Sequence, residues 1–441
     1  MPLPLQRTQT DPVQDHVRQP GRSHRKKLLT NTLWLYSLQG LNYLLPMLVL
    51  PYLIRVLGVG NYGLIALAQA FAQYFTIFTD YGFNLSATKR IAIAKGDDDT
   101  TVRQTFWGVL LIKATLLIAG FALLLGITFA IPAMAAARTA YLVAYLSVLG
   151  NVLFPVWYFQ GIEKMKNISI ITGVSKMLTV GAVFFLVHGP ADTILALALQ
   201  SSAPLLAGVA GFAVAVRSNW KGAALPAFAD LRLLLREGWH LFLSTAAVTL
   251  YTNTNVFLVG MLGGVTEAGY FSAAEKIIRA AQGMLIPLTQ VLFPHVNTLV
   301  KESPERAVRF VRKSLLTIAV PTFAGSLAIL LCSPLLSRLA FGFSNATTNS
   351  TLRWTAFIPF LVAISSTLGI QTMVVFGHEK AFSRILVTAG VFNVAFAWVL
   401  IRRMGAPGAG AAVLATETFI VLAMLWYLRR IGIHLLDRRP A

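Results

Sequence analysis

Residues 61–88 read NYGLIALAQAFAQYFTIFTDYGFNLSAT, a stretch with the length and hydrophobicity of a membrane-spanning helix and a line of polar side chains along it. About 20 mainly apolar residues are enough to cross a bilayer. The polar residues recur every three or four positions, which places them on one face of a helix. They are Gln69, Gln73, Thr76, Asp80 and Asn84. The pattern predicts a helix within the membrane that turns one face towards protein or water.

The whole chain has the composition of an integral membrane protein. Its 441 residues are 56% hydrophobic and only 12% charged, and the mean hydropathy is +0.67. A soluble core cannot bury that much apolar surface, so the sequence predicts an all-α integral membrane protein. Twelve segments are apolar and long enough to span, at about residues 30–56, 61–88, 104–130, 138–160, 166–188, 192–216, 238–262, 267–295, 310–334, 351–376, 381–402 and 407–429.

The basic residues are distributed unevenly between the two sides of the predicted membrane. The chain has 37 Lys and Arg against 17 Asp and Glu. If both termini are cytoplasmic, most basic residues lie in cytoplasmic segments. The outer segments then hold only Arg55, Arg138, Arg338, Arg353, Arg402 and Arg403. The positive-inside rule therefore predicts an even number of spans with both termini in the cytoplasm. It also explains the positive charge without a nucleic-acid partner.

A repeat relates the two halves of the chain. The segment LGVGNYG at residues 57–63 has a counterpart in LGGVTEAGY at residues 262–270. When Gly63 is aligned with Gly269, the polar positions of the two following helices coincide. The aligned pairs are Gln69 with Glu275, Gln73 with Arg279, Thr76 with Gln282 and Asn84 with Gln290.

Repeats of this kind are common in secondary transporters. The repeat predicts two six-helix lobes around a central cavity, with a cytoplasmic linker between them. We expect the first lobe at residues 28–217, the linker at 218–236 and the second lobe at 237–430. Residues 1–27 are expected to form a disordered basic cytoplasmic tail, and residues 431–441 a second cytoplasmic tail. The polar cavity lining is predicted to include Gln39, Asn42, Gln69, Gln73 and Asn253.

Four cations fall near the middle of predicted spans. They are Lys113, Lys176, Lys276 and Arg279, and we predict that they bind the head group of a substrate. Ionisable residues in the membrane are costly, so they normally face a cavity or a partner. The carboxylates at similar depth, Glu275 and Glu417, are fewer. The interior is therefore positive, which suits a phosphate or an acidic sugar better than a cationic drug.

Several of these residues have a structural alternative. Glu275 and Arg279 have the spacing and order of a favourable intrahelical ion pair. Lys176 could instead extend towards the membrane interface. Glu275, Glu417 and Asp80 are predicted to act in gating or ion coupling, and Glu417 could equally be the partner of a lysine in another helix. Asp80 lies near the cytoplasmic end of its span. It either pairs with arginines of the inner loops or forms a gate between the lobes.

The sequence lacks the features expected of an enzyme or a metalloprotein. It has no Gly-Lys dipeptide, which excludes a phosphate-binding loop of the Walker type. The outer loops are too short for a catalytic domain. The histidines are scattered, and the run Asp97-Asp98-Asp99 is best interpreted as a solvated turn. We expect no enzymatic activity, no metal and no cofactor, although an H⁺ or Na⁺ gradient could drive the protein.

Three motifs of the first half closely resemble the polysaccharide-unit flippases of the Wzx type. They are LPYLIRVLG at residues 50–58, NYG at 61–63 and DYGFNLSAT at 80–88. Those flippases belong to the multidrug/oligosaccharidyl-lipid/polysaccharide exporter superfamily. The resemblance implies a V-shaped pair of six-helix bundles in the bacterial inner membrane.

The resemblance also implies a substrate and a mechanism. The expected substrate is an oligosaccharide repeat unit linked to undecaprenyl diphosphate, moved from the cytoplasmic to the periplasmic leaflet by alternating access. O-antigen or exopolysaccharide biosynthesis is the implied process, with membrane lipid and other polysaccharide assembly proteins as partners. An ion-coupled multidrug exporter of the same superfamily is the alternative.

Overall fold

The computed structural model of the protein describes residues 43–94, 99–219, 226–283, 286–342 and 344–435, together with Gly40 and Gly96. Almost all of these residues are helical, and no strand occurs among them. The prediction of an all-α membrane protein is confirmed. The N-terminal tail, the polar residues Gln39 and Asn42, and the aspartates Asp97 and Asp98 lie outside the described residues.

The first half of the chain contains the helices α1 to α10. Their bounds are α1 (Tyr43–Leu57), α2 (Val59–Asp80), α3 (Phe83–Ala94), α4 (Asp99–Ala130), α5 (Pro132–Ala135), α6 (Arg138–Ala144), α7 (Leu146–Leu153), α8 (Val156–Gly161), α9 (Met165–Leu186) and α10 (Thr193–Asn219). A short 3₁₀ turn at Pro190–Asp192 precedes α10.

The second half contains the helices α11 to α19. Their bounds are α11 (Phe228–Gly263), α12 (Val265–Gly283), α13 (Ile286–Glu302), α14 (Pro304–Leu331), α15 (Ser333–Phe341), α16 (Ala346–Thr355), α17 (Ile358–Leu368), α18 (Glu379–Met404) and α19 (Ala406–Arg430). A π-helical turn at Gly369–Val374 continues α17.

Eight helical segments of the described chain are long and apolar enough to cross a membrane. They comprise α4, α6–α8, α9, α10, α14, α16 to the π-helical turn, α18 and α19. The apolar helix α1 is shorter. The remaining predicted spans correspond to the helices α2–α3, α11 and α12–α13. The count of twelve spans stays a prediction.

Several predicted spans are interrupted in the described structure, and the breaks in the second and the fourth span lie beside predicted site residues. The second breaks between α2 and α3, where Tyr81 and Gly82 have left-handed backbone with φ of 44° and 77°. The fourth breaks between α7 and α8 at Phe154 and Pro155, because proline has no amide hydrogen to continue the helical bonds. Freed backbone groups within a membrane need other partners. The two breaks therefore create positions where a side chain can bind backbone oxygens.

The predicted linker is partly helical. The linker was predicted at residues 218–236. The helix α11 begins at Phe228, so residues 228–236 of the predicted linker belong to this helix. The Asp230 carboxylate accepts a hydrogen bond of 3.2 Å from the Ala227 amide and stabilises the first turn. Residues 220–225 lie outside the part of the chain that the structure describes.

Equivalent glycines begin the second helix of each repeat. Gly58 precedes α2 with φ of 82°, and Gly264 precedes α12 with φ of 88°. Glycine adopts this backbone conformation without steric cost. The offset between the two glycines is the same as that between Gly63 and Gly269. The same turn thus recurs at the position that the sequence repeat assigns to it.

The two halves meet where α2 and α12 cross. Gly63 lies against the Val265 carbonyl, and Gly269 lies against the Val59 carbonyl, so neither position has room for a Cβ atom. One continuous hydrophobic core surrounds this crossing and includes Leu53, from the first half, and Ile277, from the second. The close glycine contact holds the N-terminal ends of α2 and α12 together.

Candidate functional site

A polar cavity lies between the two halves of the molecule. The helices α2, α11 and α12 form its walls. The structure brings together six of the predicted site residues around it, namely Gln69, Gln73, Asn253, Glu275, Lys276 and Arg279. The polar stripes of two repeat-related helices thus face one space. The roles of these residues in binding stay predictions.

Arg279 is engaged by neighbouring side chains within this cavity. Its Nη2 atom donates to Glu275 Oε1 at 2.8 Å and to Asn253 Oδ1 at 2.9 Å. The spacing of Glu275 and Arg279 correctly indicated this intrahelical pair. The pair balances the charge of Arg279, so Lys276 supplies the excess positive charge of the cavity.

A second cavity lies between α1, α9 and α10. Lys176 and Lys276 both line it, although they are far apart in the sequence. No carboxylate is among the described residues of its wall. Gln69 and Lys276 line the second cavity as well as the polar one, so the two spaces adjoin at these residues.

An amide pair lies at this junction. Gln69 Nε2 donates to Gln200 Oε1 at 3.3 Å and so links α2 to α10. Gln200 was not among the predicted site residues, although a single amide in the apolar segment LALALQ is a detectable signal. Lys276 Nζ lies 5.1 Å from the centre of the Tyr62 ring, a cation–π distance that ties α12 to α2.

Lys113 and Asp80 form an ion pair within the first half. Lys113 is 1% exposed, and its Nζ atom donates to Asp80 Oδ1 at 2.7 Å and to the Asn151 carbonyl at 3.3 Å. Asn84 donates to the other carboxylate oxygen of Asp80 at 3.3 Å. The ammonium thus bridges α4 to the ends of α2 and α7, where both spans are interrupted.

This geometry bears on two expectations about the pair. Lys113 lines neither of the two cavities described above, and its role as a head-group cation stays a prediction. Asp80 binds a lysine of its own half, and not an arginine of an inner loop or a group of the other lobe. The sequence could not indicate this because the partner lies on a different helix. The pair fixes the break in the second span.

We expect the single substitution Lys113→Met to destabilise the protein by about 2–3 kcal/mol, because it leaves the Asp80 carboxylate without its cation. The double variant Asp80→Asn/Lys113→Met should recover most of this loss, since neither charge remains. Thermal unfolding of the detergent-solubilised variants measures the difference. Equal unfolding temperatures for wild type and Lys113→Met would contradict the structural role.

Glu417 lies in a third cavity, within the second half. The Glu275–Arg279 pair also lines this cavity. Asn393 Nδ2 donates to Thr416 Oγ1 at 3.0 Å beside Glu417. Asn393 was also absent from the predicted site, although it is an amide in the apolar run VFNVAFAW. Carboxylate, amide and hydroxyl oxygens are thereby collected in one buried space.

Comparison with known proteins shows the family of the chain. The family described as "Polysaccharide biosynthesis protein" matches residues 28–300. A protein of Escherichia coli (strain K12) named "Putative O-antigen transporter" is 33% identical over 407 residues, which cover 92% of this chain and 98% of the relative.

Two solved structures of membrane transporters share the fold of this chain. The lipid II flippase MurJ in an inward closed conformation superposes with a TM-score of 0.72 at 12% identity, over 91% of this chain and 87% of that one. An inward-facing multidrug resistance MATE family transporter of the MOP superfamily gives 0.71 at 16% identity, over 88% and 94%. The resemblance to polysaccharide-unit flippases is confirmed, and the chain belongs to the polysaccharide biosynthesis protein family.

Proposed function

We propose that the protein is a flippase for a lipid-linked oligosaccharide. The carrier would be undecaprenyl diphosphate, and the direction would be from the cytoplasmic to the periplasmic leaflet of a bacterial inner membrane. Family membership and the O-antigen transporter named among the relatives support this function. O-antigen or exopolysaccharide assembly would then consume the product, together with other proteins of that process.

The observation that carries the proposal is the pair of adjoining cavities around Lys276. One is lined by amide and charged side chains that can bind sugar hydroxyls. The other is mainly apolar and contains two lysines without a carboxylate in its described wall. A substrate with sugars, a diphosphate and a hydrocarbon chain matches these surfaces. A cationic drug would meet an excess of positive charge, which argues against the multidrug exporter.

The contact between α2 and α12 supports alternating access. By the positive-inside rule, the N-terminal ends of both helices would lie at the periplasmic face, with both chain termini in the cytoplasm. Gly63 and Gly269 would then close the outer side of the central cavity. Transport would require the two halves to separate at this crossing while they close at the other face.

The function can be tested with the purified full chain in proteoliposomes. A fluorescent oligosaccharide linked to undecaprenyl diphosphate is incorporated into both leaflets, and an impermeant glycosidase then removes the accessible sugar. We expect the protected half of the substrate to become accessible only in vesicles that contain the protein. If the protein leaves that half protected but transports a cationic dye, it is a drug exporter.

We propose that Glu417 couples transport to an H⁺ or Na⁺ gradient, because its carboxylate shares a buried cavity with Asn393 and Thr416. The substitution Glu417→Gln should remove the stimulation of transport by an imposed gradient, at least about fivefold, and leave slow exchange without a gradient. Transport rates with and without each gradient measure this effect. Unaltered stimulation in the variant would assign the coupling to another residue.

A further inference from the structure

The π-helical turn at Gly369–Val374 contains a buried amide side chain that no described residue binds. Gln371 is 0% exposed, and neither its Nε2 nor its Oε1 atom has a hydrogen-bond partner within the described part of the chain. A buried polar group without partners costs free energy and is rare in folded proteins. Turns of the π-helical type are also rare, and they occur frequently at functional sites. The two features coincide at one residue, which indicates that stability alone does not explain this segment.

The hydrogen bonds of the turn follow the wider step of a π-helix. The Thr372 hydroxyl donates to the Thr367 carbonyl at 2.9 Å, five residues earlier. The His378 amide donates to the Met373 carbonyl at 2.7 Å over the same step, and Gly377 has φ of 82°. The helix therefore ends in a tight turn directly after its π-helical segment.

The neighbours of the turn on α18 and α19 are apolar at the point of closest contact. A Cβ atom at Gly369 would overlap the Phe382 ring of α18 and would lie 3.1 Å from Cε of Met424 on α19. Leu368 and Met373 belong to the same hydrophobic core as Met424. Apolar contacts have no fixed direction, so a rotation of the turn at Gly369 would break no hydrogen bond to either neighbour.

A change of the hydrogen-bonding step would move the Gln371 side chain. A π-helical turn contains one residue more than the α-helical turn that it replaces. If that residue passes into the following turn at 375–378, the segment becomes α-helical. Side chains in the segment then rotate by about 100° around the helix axis. The Gln371 amide would face different neighbours after such a shift of register.

From these observations we infer that the turn at Gly369–Val374 is a switch between a π-helical and an α-helical form, and that the protein uses both forms during transport. Gln371 has no partner in the π-helical form and gains hydrogen bonds in the α-helical form. The amide therefore stabilises the second state of the cycle at the expense of the first. The inference rests on the proposed function and adds to it a moving element within the second half.

The switch lies on helices that also form the cavity of Glu417. Ile358, at the start of α17, lines that cavity, and the π-helical turn continues the same helix. On α19, Met424 follows Glu417 by seven residues, which is about 10 Å along the helix. A change of register at Gly369 can therefore act on the same two helices that hold the proposed coupling site.

Stability and transport should change in opposite directions in the variant Gln371→Leu. The unfolding temperature of the detergent-solubilised full chain should rise by about 2 °C or more, because a buried amide without partners is removed. Transport in proteoliposomes should fall at least about fivefold, because the α-helical form loses the hydrogen bonds of the amide. Gln371→Met, which has a flexible apolar side chain, keeps the test decisive if leucine is not accommodated.

A second substitution distinguishes a switch from a merely structural residue. Thr372→Val removes the hydroxyl that bonds to the Thr367 carbonyl and should weaken the π-helical form. The double variant Gln371→Leu/Thr372→Val should therefore recover at least about half of the wild-type transport rate, since the two changes shift the equilibrium in opposite directions. The matched control is Ser326→Ala on α14, where a hydroxyl of a 0% exposed residue also lacks a partner. This control should transport as wild type does.

Hydrogen exchange of the full chain in nanodiscs observes the switch without any substrate. The amides of residues 371–376 should exchange at least about fivefold faster in Thr372→Val than in wild type, and at least about fivefold slower in Gln371→Leu. The amides of residues 416–424 on α19 should exchange equally in all three proteins.

Three results would each overturn the inference: a lower unfolding temperature in both Gln371 variants, normal transport in a stabilised variant, or no recovery in the double variant. Failure of the proposed function gives a different pattern. If the wild type moves no lipid-linked oligosaccharide, opposite changes of exchange in the two single variants would still establish the switch. Unaltered exchange in both single variants would refute it, whatever the protein transports.

Discussion

Replacing Lys276 by methionine is expected to lower transport of a diphosphate-linked oligosaccharide at least about tenfold. A hydrogen bond to a charged group contributes about 1.5–3 kcal/mol, which corresponds to a factor of about 10 to 150. Lys276 is the cation shared by the polar and the apolar cavity, and it lies over the Tyr62 ring. Within the described part of the chain, it forms no salt bridge with a carboxylate. Initial transport rates in proteoliposomes measure the loss.

Two further variants distinguish a binding role from a structural one. Lys276→Arg keeps the charge and should retain a substantial part of the activity. Lys380→Met removes an exposed lysine at the start of α18 and should transport as wild type does. Normal transport by Lys276→Met would show that the excess positive charge of the central cavity is not used for the substrate.

Replacing Gly63 by alanine is expected to separate the N-terminal ends of α2 and α12. A Cβ atom at this position would overlap the Val265 carbonyl group and lie 2.8 Å from the Gly269 nitrogen. These are backbone atoms, so relief requires one helix to move. Overpacking costs about 1–3 kcal/mol, which would shift the balance between the closed and open states of this crossing about five- to 150-fold. Transport should fall because one state of the cycle becomes rare.

Disulfide cross-linking measures the separation directly. A Cβ atom at Gly60 would lie 3.4 Å from Thr266 Oγ1, so cysteines at these two positions should cross-link when the ends are closed. The single cysteine of the chain, Cys332, is first replaced by serine. Gly63→Ala should slow the cross-linking of Gly60→Cys/Thr266→Cys at least fivefold.

Gly126→Ala provides the matched control for the glycine substitution. Gly126 lies within α4, and a Cβ atom added there would meet no neighbouring heavy atom within 4 Å. Cross-linking and transport should both match wild type in this variant. An unaltered cross-linking rate in Gly63→Ala would show that the added Cβ atom does not separate the ends of α2 and α12.

Features confined to one helix were predictable from the sequence. The polar residues of α2 have helical spacing, so Gln69 and Gln73 could be placed on one face before the helix was seen. Glu275 and Arg279 are separated by one turn, and the intrahelical pair forms as their order indicates. The repeat could likewise be read from Gly58, Gly63 and their counterparts. Backbone geometry determines all of these relations.

Features that depend on which helices are neighbours were not predictable in this way. The sequence predicted that Lys113 is one of the head-group cations. In the structure, α4 packs against the break after α2, and Lys113 forms an ion pair with Asp80. The sequence also allowed Lys176 to extend towards the membrane interface. In the structure, α9 places Lys176 in the wall of the same cavity as Lys276. Gln200 and Asn393 could be identified as site residues only from their hydrogen bonds to Gln69 and Thr416, which lie on other helices.

The sequence by itself determined that the chain is a helical membrane protein that resembles the polysaccharide-unit flippases and has an excess of cations within its predicted spans. Hydropathy, helical periodicity and short motifs are local properties, so they can be read from the sequence without knowledge of the tertiary contacts. Only the tertiary structure decided which of these cations lie beside a carboxylate, as Lys113 and Arg279 do. The charge of a lysine within a span is balanced only if a carboxylate lies next to it. Packing between helices that are distant in the sequence determines whether such a carboxylate is present, as it does for Lys113 and Asp80.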